Sequence, residues 1–258
     1  MNFKSCYRVA RYGWLPDLPD HRDHLYAAPA EITAAPPTNV DLRAQCPPVY
    51  DQGQLGSCTA NAIAGAIQFD QIKQKFAQIF TPSRLFIYYN ERVIEHTVAS
   101  DSGAQIRDGI KSVGKQGDCP ETEWPYVIAK FKTKPAVKCY SDALKYKAVL
   151  YQRLTQILSQ LKGCLASGYP FVFGFTVYES FESAQVAKTG HASLPKSGEP
   201  SIGGHAVMCV GYDDAKQWFI VRNSWGPSWG MKGYFTLPYA YLTATNLASD
   251  FWTIRVVA

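Results

Sequence analysis

Between Thr59 and Ile72, small residues interspersed with Ile63, Ile67 and Phe69 leave almost no polar face, which predicts a helix buried on most sides. Thr81 to Val93 predicts a second helix, with Thr81 as its cap and Pro82 in its first turn. Gln105 to Gly114 predicts a third. Leu154 to Ser167 predicts a fourth, from Leu154, Ile157, Leu158 and Leu161 at helical spacing. After Pro170 the pattern changes to short β-prone runs, Phe171 to Tyr178, Ala206 to Tyr212, Trp218 to Arg222, Tyr234 to Leu237 and Trp252 to Val257, broken by Gly, Pro and Asp. A helical first half followed by a β-rich second half predicts an α+β fold with a seam between its halves, where pockets tend to form. Residues 1–39 carry Pro16, Pro19, Pro29, Pro36 and Pro37 and no sustained periodicity, so they are expected to lie as an extension on a body of residues 40–258. Within that body the helical half is placed at roughly 40–145 and the β-rich half at roughly 146–258.

At 258 residues and 47% hydrophobic, the chain has ample apolar material for one large or two small lobes. The net charge of +5 is spread along it without a basic run that would track a phosphate backbone, so nucleic acid is not expected as a partner. Nowhere do eighteen apolar residues run together, and the first twenty hold no apolar block of signal-peptide length. A soluble protein without a membrane segment is expected, its compartment open. Of seven cysteines, six remain for pairing if Cys58 is a reactive thiol, which allows fifteen connectivities. Cys119 and Cys139 bracket a Pro-containing loop and form the preferred candidate disulfide; Cys209, in an apolar strand, reads as a small buried hydrophobe. Without a Cys-x-x-Cys pair or a His cluster beside the cysteines, no metal or cofactor is expected.

The chemistry gathers around Cys58, which closes the run Tyr50-Asp-Gln-Gly-Gln-Leu-Gly-Ser-Cys just before the first helix. A thiol at a helix N-terminus faces unpaired N–H groups and the positive end of the helix dipole, both of which favour thiolate. Gly53 and Gly56 let the preceding chain bend, so that the Cys58 N–H can meet a bound carbonyl oxygen, with Gln52 as a second donor. Far downstream, His205 and Asn223 flank a hairpin whose opposed residues are expected to sum to about 428–430, placing His205 opposite Asn223 or its neighbour. An amide oxygen there can accept from one imidazole nitrogen, leaving the other for Cys58, while Trp225 shields the bond from water. Taken singly, each of these residues has a blander reading: a buried structural cysteine, a satisfied strand histidine, an edge asparagine, a core tryptophan. Order and register together favour catalysis.

In these residues the chain resembles the papain family of cysteine peptidases, over most of residues 40–258 and with the extension suggesting a bacterial branch. The resemblance implies a papain-like two-lobed α+β fold and a thiol endopeptidase acting on peptides or proteins as a monomer. It implies Cys58 as nucleophile, His205 as base, Asn223 as its orienter, Gln52 as oxyanion donor and Trp225 as shield. It further implies that Ser102 and Gly103 pair with substrate backbone. The pocket for the second side chain upstream of the scissile bond would be lined by Gly174, Gly203 and Gly204, with Ser249-Asp250 at its floor. Two departures stand out: Leu55 replaces a family cysteine, which removes a disulfide, and Thr59 replaces the aromatic residue that usually follows the nucleophile. In place of a long inhibitory pro-segment stands the 1–39 extension, whose Trp14, Leu15 and Leu18 would anchor it either over the cleft or on the back of a lobe. Transamidation or deamidation through the same thioester, or a non-catalytic binding role, are the alternative functions.

Overall fold

The computed structural model describes residues 12–258. Its α-helices are α1 (Ala30–Ala34), α2 (Cys58–Lys73), α3 (Arg84–Ile94), α4 (Ile106–Gln116), α5 (Val137–Ala143), α6 (Leu158–Ala166), α7 (Ala184–Thr189) and α8 (Tyr239–Thr243). Its strands are β1 (Trp14–Leu15), β2 (Leu25–Tyr26), β3 (Asn39–Asp41), β4 (Ala104–Gln105), β5 (Ala148–Leu154), β6 (Phe171–Tyr178), β7 (Ser201–Asp213), β8 (Trp218–Arg222), β9 (Tyr234–Pro238) and β10 (Ala248–Val257).

The small-residue face of α2 lets it sink into the centre, where Cys58, Ala60, Ile63, Ala64 and Phe69 are wholly buried. It packs against α3 and α4 on one side and against β7 and β10 on the other, so its N-terminus opens onto the seam between helices and sheet. The sheet runs β2-β5-β10-β6-β7-β8-β9, with β3 added on β7. Phe171, Phe173 and Phe175 alternate on β6 and are buried, and the Phe173 ring stacks on Phe251 of β10 at 5.5 Å. This two-lobed α+β arrangement is the one expected.

Several elements differ from expectation. The second helix is capped by Ser83, whose side chain accepts from the Phe86 N–H, rather than by Thr81. Pro82 instead forms a bridge with Pro120. Leu154 ends a strand, not a helix: β5 pairs antiparallel with β10, with Trp252 opposite Arg153, and the helix starts only at Leu158. The inward last residue of a strand happens to continue the helical spacing of Ile157, Leu158 and Leu161, and pairing across the sheet decided between the two. Part of the extension is knitted into the body, since β2 pairs parallel with β5 and β1 with β4. Among the described residues no helix is long and apolar enough to cross a membrane.

Candidate active site

β7 carries His205, buried, opposite Phe175 of β6. Its Nε2 lies 2.8 Å from Asn223 Oδ1, although Asn223 stands just past the end of β8. The same Oδ1 accepts the Ser224 N–H at 2.8 Å, which fixes the orientation of the amide. An amide oxygen only accepts, so Nε2 carries the proton and Nδ1 is the basic nitrogen. The β7–β8 register explains the shield: Met208 faces Arg222 across the ladder, and three residues before the one and three after the other, the His205 ring and Trp225 stack at 5.0 Å.

Cys58 begins α2, and its sulfur faces the backbone N–H groups of Ala206, next to His205, and of Gly13 and Thr59. These donors pull the thiol pKa down, but complete burial outweighs them and pushes it up to about 12. Burial likewise pushes His205 down to about 4, against the opposing pull of the Asn223 hydrogen bond. In this state the pair is thiol and imidazole; the helix N-terminus does not by itself produce the expected thiolate, because water is excluded.

Gln52 is oriented by three bonds. Its N–H donates to the Ser224 carbonyl at 2.9 Å, its Oε1 accepts from Ser224 Oγ at 2.7 Å, and its Nε2 donates to the Leu55 carbonyl at 2.9 Å. One N–H of the side-chain amide is left for a ligand. Tyr126 donates its hydroxyl to the Gln52 carbonyl at 2.9 Å and receives the Ser57 hydroxyl at 2.6 Å. Asp101 accepts the Gly56 N–H at 3.1 Å and bends the turn before the nucleophile. Arg84 ties the same loop to the helical lobe through the Asp51 carbonyl and Asn61 Oδ1, both at 3.1 Å. Sequence reading missed Ser224, Tyr126 and Asp101. Ser224 alone had a signal, its place between Asn223 and Trp225.

The cleft is filled by the chain's own N-terminal segment. The Ala104 N–H donates to the Gly13 carbonyl at 2.8 Å, so backbone pairing falls to Ala104; the Gly103 N–H goes instead to Tyr88 Oη at 3.2 Å. Ser102 turns its hydroxyl to Thr97 and the Gly103 carbonyl. Trp14 lies in a slot floored by two of the expected pocket glycines. A Cβ on Gly174 would come within 1.9 Å of its ring, and one on Gly204 within 2.6 Å. The indole N–H reaches Asp250 Oδ2 at 3.2 Å. Gly203 abuts Tyr12, whose ring lies 6.0 Å from His205 and 6.4 Å from Trp225. Beyond Trp14, Asp17 donates its N–H to Asp250 Oδ2 at 2.8 Å, and its carboxylate accepts from the Arg107 N–H and the Trp252 indole. Asp23 pairs with Arg107 and Arg153. A cavity of about 800 Å³ lined by Phe80, Arg84, Glu121 and Tyr146 contains none of Gln52, Cys58, His205 or Asn223.

Cys119 and Cys139 are brought together but are not bonded, and with a Glu123 carboxylate oxygen their sulfurs lie within 4.8 Å of one another. The fold thus assembles a group of potential metal ligands that spacing along the chain did not reveal. Cys209 is buried as expected, and Cys6 lies outside the described residues.

The fold and this constellation place the chain in the papain family of cysteine proteases: residues 36–251 match the papain family cysteine protease, and the chain belongs to it. It is a thiol peptidase, a hydrolase of peptide bonds. It is similar to xylellain, a cysteine protease from Xylella fastidiosa, at 48% identity and a TM-score of 0.92, each chain covered completely. An uncharacterized peptidase C1-like protein of Acanthamoeba polyphaga mimivirus is 53% identical over 80% of this chain and 69% of its own length. Bovine pro-cathepsin H is 27% identical over 74% of this chain, which spans 55% of that precursor.

Proposed function

We propose that Cys58, His205, Asn223 and Gln52 perform the hydrolysis, and that Tyr12, Gly13 and Trp14 hold the described state shut. The observation that carries the first part is the His205–Asn223 bond at 2.8 Å beneath Trp225, with Cys58 against the neighbouring Ala206. Once water re-enters the cleft, Nδ1 of His205 takes the Cys58 proton, and the thiolate attacks the peptide carbonyl. The oxyanion meets the Cys58 N–H and the remaining N–H of Gln52. His205 then protonates the leaving amine, and water, activated by the same nitrogen, hydrolyses the thioester. Asn223 keeps the ring aligned throughout.

The second part rests on direction as well as occupancy. Trp14 occupies the pocket assigned to a side chain upstream of the scissile bond, while Gly13, which precedes it, lies at Cys58, and Tyr12 lies beside Trp225. The segment therefore runs opposite to a substrate, with the Gly13 N–H at the sulfur and the Gly13 carbonyl engaged by the Ala104 N–H. With the segment displaced, the slot would hold a large side chain bearing a donor for Asp250, an arginine, lysine or tryptophan.

A fluorogenic peptide panel varied at that position, run under reducing conditions beside Cys58→Ala, tests the reading. Turnover with a bulky or basic preference, absent in Cys58→Ala, is expected. Equal turnover in the variant would remove Cys58 from the chemistry, and a flat library would remove the pocket.

A further inference from the structure

Residues 120–136, which contain no α-helix or strand, brace the oxyanion side of the site. Tyr126 holds the Gln52 carbonyl and Ser57, and Glu121 pairs with Arg84, which in turn holds the Asp51 carbonyl. The segment leaves the body at Cys119, whose carbonyl accepts the Ser83 N–H, and rejoins it at α5, which carries Cys139. Both thiols are buried beside Phe86 and Ala143, with their sulfurs within 4.8 Å.

We propose that Cys119 and Cys139 form a disulfide that staples this bracing segment, so that the rigidity of the oxyanion loop depends on redox state. The oxidant is a small-molecule disulfide such as oxidised glutathione. One cysteine thiolate attacks it, releasing one glutathione thiol and leaving a mixed disulfide. The second thiolate displaces the other glutathione, so two protein thiols are oxidised as one disulfide is reduced to two thiols. Closing the intervening loop removes conformations from the unfolded chain and restricts local opening of the native one. Cys119 is pushed up by burial and by the Asp118 carboxyl beside it, so exchange is slow and calls for equilibration over hours.

The link to the oxyanion loop rests on the role given to Gln52, but the readouts do not depend on turnover, so the two can fail separately. The full chain carrying Cys58→Ala is equilibrated with oxidised or reduced glutathione, alkylated and peptide-mapped. Its Tm and amide exchange are then measured. The expected result is a Cys119–Cys139 linked peptide in the oxidised sample, a Tm higher by about 5–10 °C, and slower exchange over residues 120–138. The Cys58→Ala/Cys139→Ala double variant should show no redox-dependent Tm change; comparing each variant with itself cancels the cost of the cavity. Two alkylated thiols after oxidation, a link without change in Tm or exchange, or protection of the thiols only when Zn(II) is added would each overturn the proposal.

Discussion

Ser224 holds Gln52 by two hydrogen bonds. Its hydroxyl donates to Gln52 Oε1 and its carbonyl accepts the Gln52 N–H, so the side-chain amide is held in one orientation, with one N–H on the Leu55 carbonyl and the other left for a ligand. Removing the donor group itself, as in Gln52→Ala, is expected to cost about 10²–10³ in kcat. Ser224→Ala leaves the donor in place but frees its rotation, so a smaller loss in kcat, about tenfold, with KM nearly unchanged is expected from steady-state kinetics. Equal losses in both variants would mean that Ser224 acts on the substrate itself. The neutral state of Cys58 and His205 is also decided at this scale. Burial disfavours both charged forms more than the N–H groups around the sulfur favour thiolate.

Among the elements, β1 has a role out of proportion to its two residues. It pairs parallel with β4 and delivers Gly13 to Cys58 and Trp14 to the glycine slot. Gly13 fits only as glycine, since a Cβ there would come within 1.8 Å of the Gly56 carbonyl oxygen. Gly13→Ala should therefore lift the segment from the cleft, and Trp14→Ala should remove about 3–5 kcal/mol of its packing. Both are expected to raise kcat/KM by tenfold or more, because each ~1.4 kcal/mol shifts the closed-to-open ratio about tenfold. Point variants isolate this effect better than truncation, which would also strip β2 from β5. Unchanged kcat/KM in both would show that the segment leaves the cleft at no cost to turnover and does not regulate it.

Across the whole molecule, the extension is fastened by charges from three elements. Asp17 meets Asp250 of β10 and the Arg107 N–H of α4, with Arg153 of β5 at 3.9 Å and Glu95 nearby, itself pushed up to about 7 by burial. Burial, reinforced by the Asp250 charge, raises Asp17 from 3.8 to about 6. A carboxyl that binds its proton more tightly when docked stabilises docking fully below its free pKa, and that contribution is lost as pH rises through the docked value. Docking should thus weaken between about pH 4 and 6. Opening converts a neutral Cys58–His205 pair into thiolate and imidazolium without net proton uptake, so the pair adds little to this dependence. Protection of the Ala104 amide in the chain that retains Cys58, measured by hydrogen exchange across that window, should fall with rising pH, and Asp17→Asn should flatten the fall. An identical profile in Asp17→Asn would assign the dependence to another group.

What the sequence determined by itself was the set of proposed reacting groups, their order and the elements that carry them. Gln52, Cys58, His205 and Asn223 each sit at a boundary that local pattern marks: a glycine-flanked turn, the first residue of a small-residue helix, the two ends of a hairpin. The buried α2 and the strands β6 and β8 follow from periodicity over contiguous residues, and so were legible. The strand β5 and the bracing by Tyr126 and Asp101 were not, because each depends on a partner distant in the chain; the Ser83 cap is local, but the Pro82–Pro120 bridge and the Ser83 N–H bond to the Cys119 carbonyl that draw Thr81 and Pro82 out of the helix are distant too. The fate of Trp14 was decided in the same way. Its apolar, Pro-flanked setting fits the back of a lobe as well as the cleft, and only the slot floored by Gly174 and, diagonally across on the adjacent strand, Gly204, with Asp250 at its end, distinguishes them. Tertiary structure alone also fixed the protonation of the site, since exclusion of water depends on what covers Cys58, and the cover comes from residues more than forty positions away.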